Sequence, residues 1–552
     1  MAPVPPGFAR AGGCGRKKAC GETTIQTPAD SSTARSGWPL FASAALLLTA
    51  GLLIHRHFFH DDAYVSLRYA ERWLAGKGLT WNDGERVEGF SSPAWLAQLA
   101  LLARLGVDLP LAARGLGLAY ALAILVLWHR ARVEPAGLLA LVTVPGFAMW
   151  TWGGLETISA GFWMLLAMVL LWRRRERPWA LSSKLLAALS LTFVALGRPE
   201  GIVVALAVLG GAWPDRRSPR LALAAGLGVV FAGYEAFRLL YFGDFIANAA
   251  RAKTLGLPIG ARLEDAAIYL VKTAPQWLGA VLVAAWLFAT SPLRRRAAWM
   301  LLPLLPLLAV VFAGGGDHMP GARLLLAPVA ALCLAASLAP PSPRRAARRI
   351  TLWLAALAAL WQLQLTWRHP AALNPAAAVG ESVGRGLAAR FAPGTVVASA
   401  TAGSLPYFAP ALSFIDTLGL NDRHIARETP ATLPRALADT DNWVGVPGHS
   451  RGDGAYVLAR RPDIVILGGA NGDLAPWFLG DYQLLLAKGF QMSYAPWRLL
   501  VEVPPSARPW VEDELDAASG RLRVTLYVRR DSPAWAVVAA QATPLPPPWS
   551  QP

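Results

Sequence analysis

The sequence predicts a polytopic α-helical membrane protein of about eleven crossings that carries an α/β domain at its C-terminal end. Three observations support this. Of 552 residues, 55% are hydrophobic and only 16% are charged, against about 25% charged in an average soluble domain. The apolar residues gather in runs between residues 38 and 367, many of them near the length that spans a bilayer. Beyond residue 370 these runs give way to short strand-like segments separated by turn residues.

In order, the apolar runs are approximately 38–55, 93–106, 110–129, 136–151, 155–172, 181–197, 200–213, 219–240, 266–290, 297–313, 321–339 and 350–367. Between them lie short arginine-rich loops: Arg130 and Arg132; Arg173, Arg174, Arg175 and Arg177; Arg216, Arg217 and Arg220; Arg294, Arg295 and Arg296; Arg344, Arg345, Arg348 and Arg349. Cytoplasmic loops concentrate Lys and Arg, so each of these is expected inside. Two successive inside loops require an even number of crossings between them. From residue 155 the count closes, with 155–172, 200–213, 266–290 and 321–339 running inward. The last helix then leaves residues 370–552 outside. Upstream there is one run too many, and the short segment 93–106 is expected to be re-entrant or interfacial. The loop pattern also accounts for the net charge of +17, which therefore marks membrane orientation and not a nucleic-acid partner.

Residues 1–37 are polar, with Arg16, Lys17, Lys18 and many Gly, Pro and Ser. They are expected to form a disordered cytoplasmic tail. That tail is too long and too polar for the n-region of a signal peptide, so the run at 38–55 is expected to remain as an anchor. Three cysteines, Cys14 and Cys20 in the tail and Cys333 in an apolar run, make no disulfide framework. The organisation is thus a tail (1–37), a transmembrane domain (38–369) with a first external loop at 57–92, and a periplasmic α/β domain (370–552). The strand-like runs in the last are TVVASA at 395–400, YVLARRPDIVIL at 456–467 and LRVTLYV at 522–528.

Polar residues other than arginine collect on the external side. The loops there are HDDAYVSLRYAERWLAGKGLTWNDGERVEGFSSPAW at 60–95, WGGLET at 152–157, GRPEG at 197–201, YFGDFIANAARAK at 241–253 and GGGDHMPGAR at 314–323. Ionisable groups beside apolar helices are costly to keep and mark function, so chemistry belongs on this face. Asp61 and Asp62 directly follow the first helix. Adjacent carboxylates repel, and in a low-dielectric setting one of them has a raised pKa suited to general-base work; otherwise they are solvated loop acids. His60 beside them raises a divalent metal, but three consecutive residues cannot all face one ion unaided, and neither a metal site nor a cofactor is expected. Arg68, Arg198, Lys253 and Arg323 are suited to holding a phosphate, or else snorkel to lipid headgroups. Glu156 and Glu200 either pair with those arginines or contact a sugar hydroxyl. Glu88, Asn248, Asp317 and His318 in the same loops are further substrate-binding candidates, and Trp81 and Trp95 could stack on a sugar ring. No glycine run has the strand-to-helix context of a nucleotide-binding loop.

Taken together, these motifs resemble the GT-C glycosyltransferases, and among them the terminal arabinofuranosyltransferases that extend cell-wall arabinan. The resemblance rests on the first-loop aspartate pair, on GGLET, RPEG, YFGDFIANAARAK and GGGDHMPGAR, and on IDTLGLNDRHIAR with RRPDIVIL, all in the same order. It covers roughly residues 38–470. It implies a GT-C-like membrane domain and an inverting enzyme that passes a sugar from a polyprenyl-phosphate donor to a glycan outside the bacterial cytoplasmic membrane. Asp61 would be its base. His318 and Gly321–Ala322 stand where the family more often has bulkier or aromatic residues.

The residues themselves fit that chemistry, since a lipid phosphate needs cations as it leaves and an acceptor hydroxyl needs a base. Two alternatives stay open: a GT-C transferase that modifies protein or lipid A, and a lipid-linked sugar transporter. A transporter should show paired broken helices in related halves; here the charges sit at the external edge and no such halves are evident. Orientation is directly testable. A reporter active only outside the cytoplasm should be active when fused after Pro370 and silent when fused at Arg295, and the reverse pattern would overturn the assigned active face.

Overall fold

The computed structural model describes residues 38–173, 179–211, 219–254, 258–338, 345–368, 375–427, 446 and 448–550. The predicted tail at 1–37 and the loop arginines Arg174, Arg175, Arg177, Arg216, Arg217 and Arg344 lie outside them. The first part of the chain is helical: α1 (Trp38–Ile54), α2 (Ala63–Leu74), α3 (Pro93–Arg104), α4 (Leu109–Ala131), α5 (Pro135–Val142), α6 (Pro145–Trp152), α7 (Thr157–Arg173), α8 (Leu181–Ala195), α9 (Gly201–Gly210), α10 (Arg220–Phe242), α11 (Asn248–Thr254), α12 (Ile259–Thr290), α13 (Arg294–Ala297), α14 (Leu304–Gly314), α15 (Arg323–Leu338) and α16 (Arg345–Arg368). Every predicted apolar run has a helical counterpart.

Among the described residues four helical stretches are long and apolar enough to cross a membrane: Leu109–Ala131, Arg220–Phe242, Ile259–Thr290 and Arg294–Gly314. The run at 136–151, expected to be one crossing, is the pair α5 and α6, bent by 66°. Pro145 lacks the N–H needed to continue α5 and starts α6 at its first turn. Counted as one span, the pair makes a fifth crossing. The protein is therefore multi-pass. Segment 93–106 is a helix of 12 residues, rising about 18 Å against the ~30 Å of a hydrocarbon core.

The bundle is organised around α15, which packs against α5, α7 and α12. Twelve of its residues, from Leu325 to Leu338, are buried, as expected of a helix that is apolar all round. Close approach to α5 depends on Gly137, where a β-carbon would collide with Ser337 Oγ and with the carbonyl of Cys333. The outer faces of the other helices carry exposed Leu46, Leu111, Val126, Leu221, Val271 and Leu305, the surface a lipid phase covers.

After α17 (Pro375–Ala388) comes one mixed sheet in the order β2-β1-β3-β5-β4-β6, built from β1 (Val396–Ser399), β2 (Ser413–Asp416), β3 (Ile464–Ile466), β4 (Tyr494–Val501), β5 (Leu522–Arg529) and β6 (Thr543–Pro544). β1 runs parallel to β2 and β3, while β3, β5, β4 and β6 pair antiparallel. The strand expected over 456–467 is corrected. Its first half belongs to a helix, Gly454–Ala459, which Asp453 caps by accepting from the Tyr456 N–H at 2.9 Å. Only Ile464–Ile466 is strand. β2 and β4 were not expected, because four residues leave little pattern and Pro496 interrupts the β4 run.

The sheet domain is fastened to the first loop. Edge strand β2 is closed by Asn82, whose Nδ2 donates to the Phe414 carbonyl at 2.6 Å and whose Oδ1 accepts from the Phe414 N–H at 3.1 Å. Next to it, Asp416 is 1% exposed and accepts from the N–H groups of Leu418, Gly419 and Asn421 and from Asn421 Nδ2. Asn421 Oδ1 in turn lies 3.1 Å from Tyr69 Oη, whose proton goes to the Val87 carbonyl at 2.6 Å. The IDTLGLND segment is thus a knot between the two parts of the chain. Asn82→Ala strands two backbone groups at this edge, so the purified protein should lose about 1–3 kcal/mol of stability, read as a lower melting temperature in detergent. An unchanged melt would show that the edge is closed by other means.

Candidate active site

α1 ends at Ile54 and α2 begins at Ala63, so the chain turns back within eight residues and sets His60, Asp61 and Asp62 at the mouth of the bundle. Asp62 occupies the N-cap position of α2 without capping it. Its carboxylate instead meets Lys253 Nζ of α11 at 3.0 Å, and its N–H donates to His60 Nδ1 at 3.2 Å. Asp61 faces the other way. Its Oδ1 accepts from the Ser404 N–H at 2.9 Å and from the Ser404 hydroxyl. Ser404 opens α18 (Ser404–Tyr407) of the sheet domain.

The loop between α14 and α15 adds a second layer. Asp317 accepts from Arg323 Nε at 2.9 Å, and the Arg323 guanidinium lies over the Trp150 ring at 5.3 Å. The Trp150 ring stands 5.5 Å from that of His60, and its Nε1 donates to the Pro320 carbonyl at 2.9 Å. The His318 ring meets the edge of the His449 ring, a sheet-domain residue, at 4.4 Å. Arg198 donates to Glu156 at 2.8 Å and also to Glu200. First-loop, α6–α7, α8–α9, α11, α14–α15 and sheet-domain residues thus converge here.

The electrostatics divide the aspartate pair. Burial pushes the Asp61 carboxyl up to about 6, although the two Ser404 donors pull against it. Burial also works against the charge on Asp62, but Lys253, by its charge and its hydrogen bond, outweighs it and holds this carboxyl well below the usual carboxylate range. Burial opposes ionisation of Asp317 too, and Arg323 with the Met319 N–H more than offsets it. The imidazoles of His60 and His318 are pulled down to about 4, first by burial, and are neutral at pH 7. Among the described residues no three His, Cys, Asp or Glu side chains are grouped to hold a metal ion.

Several expected site residues are corrected. Arg68 is 2% exposed, and its guanidinium donates to the carbonyls of Trp81 and Pro406 while lying over the Trp81 and Phe414 rings. It joins the first loop to the sheet domain and is not presented to a phosphate. Trp81 and Trp95 are buried within the fold, Trp95 donating to the Gly154 carbonyl at 3.1 Å, so neither offers a face to a sugar. Glu88 accepts from Tyr234 Oη and Arg238 Nε, both at 2.7 Å, and latches the loop to α10. Asn248 Nδ2 donates to the carbonyls of Gly419, Leu420 and Asp422; it braces the IDTLGLND knot. Glu156 and Glu200 pair with Arg198, as one of the two readings had it. The residues brought together are Asp61, Asp62, Lys253, Asp317, His318 and Arg323, with Arg198 behind them. Sequence reasoning missed Trp150, His449 and Ser404, which carry no local motif.

A family model described as a domain of unknown function (DUF8728) matches residues 368–540. A terminal β-(1→2)-arabinofuranosyltransferase of Mycobacterium tuberculosis is 28% identical over 378 residues, covering 58% of this chain and 59% of the relative. One of the same name from Corynebacterium glutamicum is 28% identical over 384 residues, covering 58% and 54%. The chain is similar to terminal arabinofuranosyltransferases, as its motifs indicated. It spans little more than half the length of these curated relatives. Among solved structures, ArnT from Cupriavidus metallidurans in the apo state aligns with a TM-score of 0.49 and 12% identity over 90% of this chain and 98% of that one.

The raised Asp61 pKa has a consequence for stability. The folded carboxyl ionises less readily than the unfolded one, so its contribution is fully present below the ordinary carboxylate range and is lost as pH rises through about 6. Asp61→Asn can still accept from Ser404 and carries no buried charge. At pH 8 its melting temperature should equal or exceed the parent's, with the difference vanishing near pH 4. A large loss at pH 8 would mean that the ionised form is the one the fold favours.

Proposed function

We propose that this protein is an inverting GT-C glycosyltransferase that moves a sugar, arabinofuranose or one like it, from a polyprenyl-phosphate donor to a cell-envelope glycan. In this reading the chain makes eleven crossings of the bacterial cytoplasmic membrane, with α5 and α6 counted as one. Residues 38–369 form the membrane domain, residues 370–552 form a periplasmic domain, and the site faces the external side. The single observation that supports it most is the division of the aspartate pair beside a cluster of cations. Two neighbouring carboxylates with pKa values driven apart are suited to different roles.

Asp61, near 6, is matched to accepting a proton at neutral pH. As the acceptor hydroxyl attacks the anomeric carbon, its proton passes to Asp61, the bond from that carbon to the phosphate oxygen breaks, and the lipid phosphate leaves. One displacement inverts the configuration, by the same logic that separates inverting from retaining hydrolases. Asp62 stays ionised and is suited to stabilising positive charge that develops at the sugar ring. Lys253 is the most accessible of the cations, 37% exposed against 11% for Arg323 and 19% for Arg198. It is therefore the first contact for the donor phosphate, with Arg323 behind it. Glu156 and Glu200 act by holding Arg198. Asp317 acts by holding Arg323, and His318, uncharged, is suited to hydrogen-bonding a sugar hydroxyl.

The test is to incubate the purified protein with a panel of synthetic polyprenyl-phosphate sugars and a short arabinan acceptor. Transfer should be seen with the arabinofuranose donor, and kcat should climb with pH through about 6 and then level. Asp61→Asn should lose about 10²–10⁴ in kcat with donor binding intact, and Asp62→Asn should lose less. Lys253→Ala should raise the donor KM about tenfold, the size of one charge-assisted contact. Near-normal transfer by Asp61→Asn would refute the base, and failure to transfer or hydrolyse any donor would refute the reading as a whole.

A further inference from the structure

Asp61 is held by a residue of the sheet domain, not by the membrane helices. The contact is specific. Ser404 is fully buried, both its N–H and its hydroxyl point at the same oxygen, Asp61 Oδ1, and its hydroxyl lies 3.4 Å from one further acceptor, the Ala376 carbonyl. At the preceding residue, Gly403, a β-carbon would overlap both the main-chain oxygen and Oδ2 of Asp61, so only glycine lets this turn reach the aspartate. The rest of the turn is clamped on either side. Arg68 holds the Pro406 carbonyl, and the Tyr407 and Phe408 rings pack on Tyr64 at 5.1 and 5.3 Å. Gly380 of α17 leaves no room for a β-carbon beside Ser404 Oγ, which fixes the hydroxyl from behind.

We infer that Ser404 is a positioning residue for the transfer reaction: the Gly403–Ser404 turn of the sheet domain aims the Asp61 carboxylate and tunes its basicity, so the active site is complete only when the two parts of the chain are joined. This rests on the reading of Asp61 as the base. With Oδ1 fixed by two donors and Oδ2 against the Gly403 backbone, the carboxylate is held in one orientation, which is what a general base needs. The donors also favour the charged form, opposing the upward push of burial. The titratable neighbours of Asp61 are Asp62 beside it and Tyr64 in the first turn of α2. The sheet domain therefore contributes to the chemistry itself and is more than a platform beside it.

The test measures transfer from a synthetic polyprenyl-phosphate arabinofuranose to a short arabinan with full-length Ser404→Ala, Asp61→Asn and the double variant, over pH 5 to 9. Ser404→Ala should lose tenfold to a hundredfold in kcat, the scale of one charge-assisted hydrogen bond, with donor KM within threefold of the parent. Its acid limb should move up by about one pH unit, because a donor to the ionised form has gone. In the Asp61→Asn background the same substitution should cost almost nothing further. If Ser404→Ala melts more than a few degrees early, Ser404→Cys, a weak donor, takes its place under the same readouts. Full additivity with Asp61→Asn, or an acid limb that stays put, overturns the inference and leaves Asp61 as base. Near-normal transfer by Asp61→Asn instead removes the base reading, and this inference with it.

Discussion

A carboxylate buried at a membrane boundary must be met by donors or lose its charge, and Asp61 is met by Ser404, 343 residues further along the chain. Much else follows from that one contact. It can form only if the sheet domain is seated on the first loop, and the loop spends many of its polar groups on the seating. Asn82 closes the edge of β2, Tyr69 reaches Asn421, and Arg68 caps Pro406. Asn248 braces the same knot from α11, the helix that also carries Lys253. Seating the domain thus fixes both Asp61 and the helix that carries Lys253.

The cations of the site are each matched by an acid: Lys253 by Asp62, Arg323 by Asp317, Arg198 by Glu156 and Glu200. Buried charges survive only when paired, and removing one partner costs more than the pair contributes. In the proposed reaction a phosphate arriving at Lys253 competes with Asp62, while Arg198, held by two carboxylates, is least able to turn toward a new anion. This orders the cations by availability. It also explains why the sequence, which presents all four basic residues alike, could not.

The membrane elements were readable because burial in lipid demands long apolar runs, and those runs begin and end at Gly, Pro and Arg that mark themselves. The break between α5 and α6 was not read, although Pro145 stands at it, because apolarity continues unbroken across the bend. The polar loops singled out the residues that come together but could not sort them. Asp61, Asp62, Lys253, Asp317 and Arg323 lie together, whereas Arg68, Glu88, Trp81 and Asn248 hold the fold together. A buried ion pair and a ligand contact use the same residue types, and what separates them is the partner. For Arg68 that partner is Pro406, for Glu88 it is Arg238, and for Asn248 it is Gly419, all too distant in sequence to be inferred. Ser404 and His449 escaped notice for the same reason.

The division of labour between Asp61 and Asp62 has a geometric origin. Successive residues entering an α-helix are rotated by about 100° about its axis, so two adjacent side chains at the start of α2 cannot share one environment. Asp62, at the N-cap position, turns toward α11 and meets Lys253; Asp61, one residue earlier, turns toward the sheet domain and meets neutral donors. The positive end of the helix favours both anions, but only one of them gains a full countercharge. The other remains in a dry, uncharged setting that raises its pKa into the range where a proton is both accepted and released. A DD pair at a helix start, set between a cationic helix and an uncharged turn, is therefore a way to make two unlike carboxylates from two identical residues.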